Sequence, residues 1–441
     1  MNRLLIAGTN SGCGKTTVTC AVLSALTARG FTPAAFKCGP DYIDSMFHRS
    51  VSGIRAYNLD PFFLDGDGLR SHLVSHAGDL SVIEGAMGYY DGIAATSEAS
   101  AYTVARETGT PAVLVVSARG AGYSLGAVIE GFMRYRRDRP IKGVIFNDAN
   151  ESRYPGLQQI AVNAGIRAYG YLPRNMEWSL PHRHLGLLTA GEIEGLQDIL
   201  LSLRRQAEQT LDIDGLIALA KTAPALQAVQ KPEHHHTERI RLAVARDEAF
   251  CFHYEENLEL LKDLGCEPVF FSPLRDKVLP DDCKGLYLCG GYPELYAKAL
   301  SENTSMREDI RRAVEAGLPS ISEGGGFLYL HEALNGIPMC GVIPGAVYET
   351  KRLRRFGYIT LTAEHDNLLC RAGESIRSRE FHYWDSTTPG NGFTALKAGR
   401  ELSYACVHAT DTLYAGFPHL YFPANPAFAS RFVERMNQYR T

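Results

Sequence analysis

The sequence predicts an α/β protein of two domains separated by a helical segment and linker, with expected bounds 1–190, 191–238 and 239–441. Three observations predict it. Short apolar runs alternate with amphipathic stretches through the first part of the chain. The pattern gives way to a polar, helix-like stretch and then to APALQAVQKPEHHHTER. A second alternation of strand-like and helix-like segments starts at 239. Alternation of this kind builds a mostly parallel sheet with helices on both faces. At about 100–200 residues per domain, 441 residues suit two or three domains.

In the first domain the strand candidates are 3–8, 32–37, 80–85, 111–117 and 142–147. Each is rich in Val, Ile, Leu or Ala and is bounded by Gly, Pro or Asp. Residues 15–29 read as an amphipathic helix stopped by Gly30. In the second domain 239–247, 267–273, 285–291 and 318–322 read as strands, and 254–264 and 304–316 as helices.

Composition narrows the classes. The formal net charge of −4 argues against a general nucleic-acid binder. The basic cluster Lys351, Arg352, Arg354 and Arg355 reads as a solvated face. No apolar stretch approaches 18 residues, so no membrane span is expected, and the N-terminal apolar run is too short for a signal peptide. Ten scattered cysteines without a C-x-x-C pair read as reduced thiols of a cytoplasmic protein. His234, His235 and His236 read as an exposed linker tract, because no metal-ligand spacing surrounds them.

The strongest local motif is GTNSGCGKTT, residues 8–17, which follows a strand candidate and opens a helix. Backbone N–H groups in such a turn, with the helix N-terminus, cradle phosphate. Lys15 is placed to neutralise the terminal phosphates and Thr16 to ligate Mg²⁺. Thr9 stands where the strict phosphate loop has its first glycine, so this is a variant P-loop. Two further clusters lie after strands: Asp41 and Asp44 in KCGPDYID, and Glu84 in VIEGAMG. Carboxylates at the carboxyl ends of parallel strands, beside a phosphate loop, suit Mg²⁺. Capping of a helix is the competing use for one of the two aspartates.

These stretches resemble the cobyrinic acid a,c-diamide synthase family. So do VIEGAMGYYDG, RHLGL (183–187), ARDEAFCFHYEENLELL (245–261), GGYPELYA (290–297), SREFHY (378–383) and AGFPHLYFPANP (415–426), in the family's order over nearly the full length. The resemblance implies a P-loop NTPase-like, doubly wound N-terminal domain similar to dethiobiotin synthetase. It also implies a C-terminal class I glutamine amidotransferase-like domain. The implied reaction is ATP-dependent conversion of two acetate carboxylates of a corrinoid, cobyrinic or hydrogenobyrinic acid, to amides through acyl phosphates, in cobalamin biosynthesis. Nickel sirohydrochlorin is the alternative macrocycle. Carried over by motif, Gly12, Gly14, Lys15, Thr16 and Thr17 bind ATP and Asn147 contacts adenine. Thr16, Asp41 and Glu84 hold Mg²⁺, and Lys15, Asp41, Asp44 and Glu84 serve the chemistry. A homodimer is compatible with the resemblance.

The chain departs from the family at one decisive place. Where the family has Glu-Cys-Gly-Gly, this sequence reads Glu323-Gly324-Gly325-Gly326. Glutamine hydrolysis in this class needs a thiolate activated by a histidine. His419 matches the histidine, but Gly324 replaces the nucleophile. Free ammonia, ammonia from a separate glutaminase, or an engineered or inactive variant each account for this. Cys289, beside Gly290 and Gly291, reads as a small buried residue rather than a substitute thiol. His382 reads as structural or substrate-contacting. Ser117 stands where the family more typically has Asp, which with Gly324 keeps open a divergent paralogue amidating another acid. The readings from other classes are a non-synthetic P-loop ATPase and a regulatory protein with two relic domains. Neither accounts for the second domain together with intact Lys15, Thr16, Asp41, Asp44 and Glu84.

Overall fold

The computed structural model describes residues 1–440 apart from 52, 139, 179–181, 184–185, 188–192, 194 and 228–238. The histidine tract and two residues of RHLGL lie outside the described residues. The chain divides into two compact units, Met1–Gln230 and Lys231–Thr441. No helix among the described residues is long and apolar enough to cross a membrane.

The first unit is built on seven strands: β1 (Arg3–Gly8), β2 (Ala34–Cys38), β3 (Arg55–Leu59), β4 (Ser81–Glu84), β5 (Ala112–Ser117), β6 (Ile141–Asn147) and β7 (Arg167–Leu172). Their order is β3-β2-β4-β1-β5-β6-β7, and every pairing is parallel. All six residues of β1 are buried, as a strand covered by helices on both faces requires. β3 and β7 had no counterpart among the strand candidates. Both are edge strands, and their sequences, RAYNL and RAYGYL, mix polar residues into the apolar run. Helix α1 (Lys15–Ala28) follows β1 and ends before Gly30, whose φ of +86° suits glycine. Helix α2 (Ile43–Ser50) follows β2.

The helical segment expected between the domains belongs instead to the first unit. Leu196–Thr210 buries Leu196, Leu200, Leu203 and Ala207, an apolar stripe that needs a partner surface, and finds it on α1. Arg29, just past α1, pairs with Glu208 and with Asp214 at 2.7 Å each. Helix Ile213–Ala220 follows. The chain beyond it is tied back by Arg3, which is fully buried. Arg3 donates to the Thr108 carbonyl (2.7 Å), the Pro224 carbonyl (2.8 Å) and Thr110 Oγ1 (3.1 Å).

The second unit has a parallel core in the order Cys266–Phe271, Ile240–Ala245, Gly285–Leu288, Ser320–Glu323 and Leu413–Gly416, edged by the antiparallel pair His408–Ala409. A separate five-stranded antiparallel sheet runs Ser403–Cys406, Phe393–Lys397, Arg355–Ala363, Ser375–His382, His419–Leu420. The sequence reading foresaw the parallel core but not this sheet, whose half-exposed strands alternate rather than run apolar.

Two expectations follow for stability. Replacing Arg3 by Met removes the donor to the carbonyl of buried Thr108 and to that of Pro224. It should cost about 2–4 kcal/mol, read by urea unfolding; a loss within about 0.5 kcal/mol, the usual scatter of surface changes, would contradict the clamp. Burial pulls the imidazoles of His331 and His382 down to about 4 and about 3. Unfolded histidine titrates near ~6.5, so below that pH the unfolded chain binds more protons. The contribution is therefore whole above about pH 6.5 and is lost as pH falls toward 4, at roughly 1.4 kcal/mol per pH unit for each histidine. Unfolding followed by Trp384 fluorescence in a Trp178→Phe background measures the slope, and His382→Gln should remove one proton's worth of it.

Candidate active site

The glycine-rich loop sits between β1 and α1, at the carboxyl end of the sheet. Gly12 and Gly14 have φ of +77° and +96°, the left-handed region that glycine enters freely. At Gly14 space matters as well, because a Cβ there would collide with the Asn147 amide. Asn147, at the end of β6, donates from Nδ2 to the Cys13 carbonyl at 3.0 Å. It therefore braces the loop. Lys15 is 7% exposed, and its Nζ donates back to the Asn10 carbonyl at 3.0 Å. Burial lowers its pKa. Thr17 is half-buried one residue beyond Thr16.

Glu84, the last residue of β4, is fully buried and collects the other groups. Its Oε1 accepts from Thr16 Oγ1 and from Lys37 Nζ, both at 2.7 Å. Its Oε2 lies 2.7 Å from His48 Nε2. Lys37, on β2, also pairs with Asp44 Oδ2 at 2.5 Å and donates to the Gly85 carbonyl at 3.2 Å. Burial alone pushes Glu84 upward, but the charge of Lys37 and the His48 bond override it and hold the carboxyl well below its ordinary value. Asp44 is pushed up to about 6, first by burial and then by Asp41 beside it. The segment after Glu84 is fastened to the loop, with Tyr89 N donating to the Gly8 carbonyl at 2.8 Å.

The structure brings Thr16, Lys37, Asp44 and Glu84 together. Asp41 is used differently. Its Oδ1 accepts from the backbone N–H of Ile43 (2.9 Å) and of Asp44 (3.0 Å), closing the first turn of α2. This is the capping use that the sequence left open for one of the two aspartates. His48 was not singled out from the sequence. Its signal was the i, i+4 spacing from Asp44, which puts both on one face of α2. Ser117 is accompanied by a carboxylate after all: its hydroxyl donates to Asp148 Oδ2 at 2.9 Å.

The second unit holds the other candidate site. Gly324 lies between strand Ser320–Glu323 and helix Gly325–Leu330, with φ +48° and ψ −106°. This is the sharp strand-to-helix turn on which nucleophiles are presented. A Cβ on Gly324 would lie 2.7 Å from both Cε1 and Nε2 of His419. The His419 ring thus faces the place where a side chain at position 324 would begin, and partly fills it. Glu323 lies behind. It accepts from Tyr287 OH (3.0 Å) and Leu420 N (2.9 Å), and its Oε2 is 3.8 Å from His419 Nδ1.

The remaining residues fall outside this chemistry. Cys289 is fully buried, with Sγ 3.3 Å from the Gly290 carbonyl and 3.5 Å from that of Ala245. Its Sγ also lies 3.9 Å from His253 Nδ1, and burial holds the thiol well above its ordinary value, which disfavours the thiolate. His382 stacks on Phe417 (3.8 Å, 5°), and its Nδ1 lies 2.6 Å from the Trp384 carbonyl, a structural placement. In the basic cluster, Arg354 pairs with Asp385 at 2.6 Å and Arg355 lies over the Tyr404 ring at 3.8 Å, while Lys351 and Arg352 are exposed.

Residues 4–187 match the CobQ/CobB/MinD/ParA nucleotide binding domain, and residues 241–427 match the CobB/CobQ-like glutamine amidotransferase domain. The cobyrinate a,c-diamide synthase of Caldanaerobacter subterraneus subsp. tengcongensis is 37% identical, over 99% of this chain and 98% of its own. That of Clostridium acetobutylicum is 38% identical, over 98% of this chain and 100% of its own. That of Thermoplasma volcanium is 36% identical, over 99% and 98%. The chain therefore belongs to the cobyrinate a,c-diamide synthase family of ATP-dependent amidating ligases, with a nucleotide-binding domain and a glutamine amidotransferase domain in one polypeptide.

Proposed function

We propose that this protein amidates the a and c acetate carboxylates of a corrinoid, cobyrinic or hydrogenobyrinic acid, using ATP and ammonia. The observation that supports this most is the meeting of Thr16, Lys37 and Glu84 at the carboxyl end of the first sheet, next to the loop that carries Lys15, in a chain similar end to end to cobyrinate a,c-diamide synthases. A carboxylate is a poor electrophile because oxide is a poor leaving group. Attack of a substrate carboxylate oxygen on the γ-phosphorus, with cleavage of the bond to ADP, makes an acyl phosphate. Ammonia then attacks the carbonyl carbon, the bond to phosphate breaks, and the extra proton passes to solvent.

Lys15 and the loop N–H groups hold the phosphates, and the cation of Lys37 lies where the charges of substrate and phosphoryl group meet. The Thr16 hydroxyl and Glu84 carboxylate, hard oxygen donors in contact beside a phosphate loop, fit Mg²⁺, which keeps few protein ligands and takes the rest from phosphate and water. When bound, that ion offsets charge on the transferring phosphoryl group. Asp44, near its titration range, is suited to orient the incoming acid or ammonia. The nitrogen comes as free ammonia or from a separate glutaminase, because Gly324 supplies no thiolate. Ten free cysteines support a cytoplasmic setting.

Mass spectrometry of cobyrinic acid incubated with ATP, Mg²⁺ and either ammonium or glutamine tests this reading. Stepwise carboxylate-to-amide conversion with ammonium, and none with glutamine, is expected. Conversion with both would overturn the reading of Gly324. Conversion with neither, while nucleotide still binds, would move the substrate to another acid such as nickel sirohydrochlorin. Gly324→Cys should confer glutamate release from glutamine once His419 gives way. Its left-handed backbone should cost on the order of 1 kcal/mol of stability. Gly324→Ala should bear the same cost with no glutamate release.

A further inference from the structure

We infer that His48 is the positioning residue that fixes the orientation of the Glu84 carboxylate, and through it the magnesium–nucleotide site. The inference rests on the reading of Thr16 and Glu84 given above. A carboxylate at the end of a glutamate side chain turns easily, since the terminal torsion is broad. Glu84 is held by three side chains. Thr16 and Lys37 share Oε1. Both have reason to change partners when phosphates and a cation arrive: Thr16 turns its oxygen to the metal, and Lys37 is a long chain already divided between Glu84, Asp44 and the Gly85 carbonyl. His48 alone holds Oε2 among these contacts, at 2.7 Å.

The ring is suited to that task and to little else. It is 0% exposed, on a helix that packs against β2 and β3. Nε2 faces an anionic oxygen and therefore carries a proton and donates. Nδ1 is buried with no hydrogen-bond partner among the described residues. Burying an imidazole with one nitrogen unsatisfied is unfavourable. An apolar side chain would fill the same space without that penalty. The contact with Glu84 is the one return for placing a histidine here. His48 also shares a helix face with Asp44, so one short helix, started by Asp41, positions carboxylates on both sides of Lys37.

The test is nucleotide binding by the full chain, read with a fluorescent ATP analogue titrated with and without Mg²⁺. The amide nitrogen of Gln reaches the place of Nε2, whereas that of Asn falls short. His48→Asn should raise the Mg²⁺ concentration for half-maximal binding by about 10- to 100-fold, as lost outer contacts to metal ligands do, with metal-free affinity unchanged. His48→Gln should stay within about threefold of the parent, below that range. A purely structural role would instead weaken metal-free and metal-loaded binding alike in both variants. Equal Mg²⁺ dependence of His48→Asn and the parent, or equal failure of both variants, overturns the inference. Should His48→Asn not fold, ¹⁵N spectra of the histidine-labelled parent decide. The His48 Nε2–H signal must shift with Mg²⁺ and nucleotide together and not with nucleotide alone; a signal that ignores Mg²⁺ overturns it. A parent whose nucleotide binding ignores Mg²⁺ removes the Thr16–Glu84 reading itself, and the inference falls with it.

Discussion

Burying an ionised carboxylate at the end of a strand costs several kcal/mol unless compensation is close by, and the surroundings of β4 supply it to Glu84. One cation, one hydroxyl and one imidazole converge on its two oxygens, from β2, α1 and α2 respectively. Helix α1 follows β1, and α2 follows β2. The parallel order of the sheet is therefore a requirement of the site, because it sets β4 between β1 and β2. The phosphate loop leaves β1 and the Lys37 stretch leaves β2, so both arrive beside Glu84 without further adjustment. A parallel sheet gathers its strand ends on one edge, and here that edge carries the buried charges of Lys15, Lys37 and Glu84.

The same geometry explains why the loop tolerates so little. Gly14 must be glycine twice over, once for its left-handed backbone and once for the Asn147 amide lying against it. Asn147 in turn ties the loop to β6, two strands away from β1. The loop is thus preorganised by the protein before any phosphate arrives, which lowers the cost of ordering it at binding.

The second unit shows the reverse relation between backbone and chemistry. Its strand–turn–helix elbow survives at Gly324 although no nucleophile stands there. The turn demands a left-handed residue, and glycine fulfils that demand with less strain than cysteine. Glu323, Tyr287 and His419 remain packed around it because their contacts also join the parallel core to strand His419–Leu420. The fold at this place is carried by the neighbours of residue 324 and does not need a side chain there.

Much of this was legible in the residues. Apolar runs marked the buried central strands, and the Gly-Lys-Thr turn between a strand and a helix marked the phosphate loop. The place of Gly324 followed from motif order. These are local signals, set by side chains within a few residues of one another. What stayed hidden depended on contacts far apart in sequence. The edge strands β3 and β7 are half polar, and only pairing with a neighbour makes them strands. The segment 196–220 looked like a connector until its apolar stripe met α1. Asp41 and Asp44 were indistinguishable by type, and the tertiary structure gave one the helix cap and the other the lysine. His48 looked like one more helix residue; its role exists only because α2 carries it to within 2.7 Å of a carboxylate 36 positions away. By itself the sequence determined the fold class and the phosphate loop, because those follow from local pattern. The folded chain alone decided which charges meet, because Coulomb and hydrogen-bond partners are chosen by distance in space.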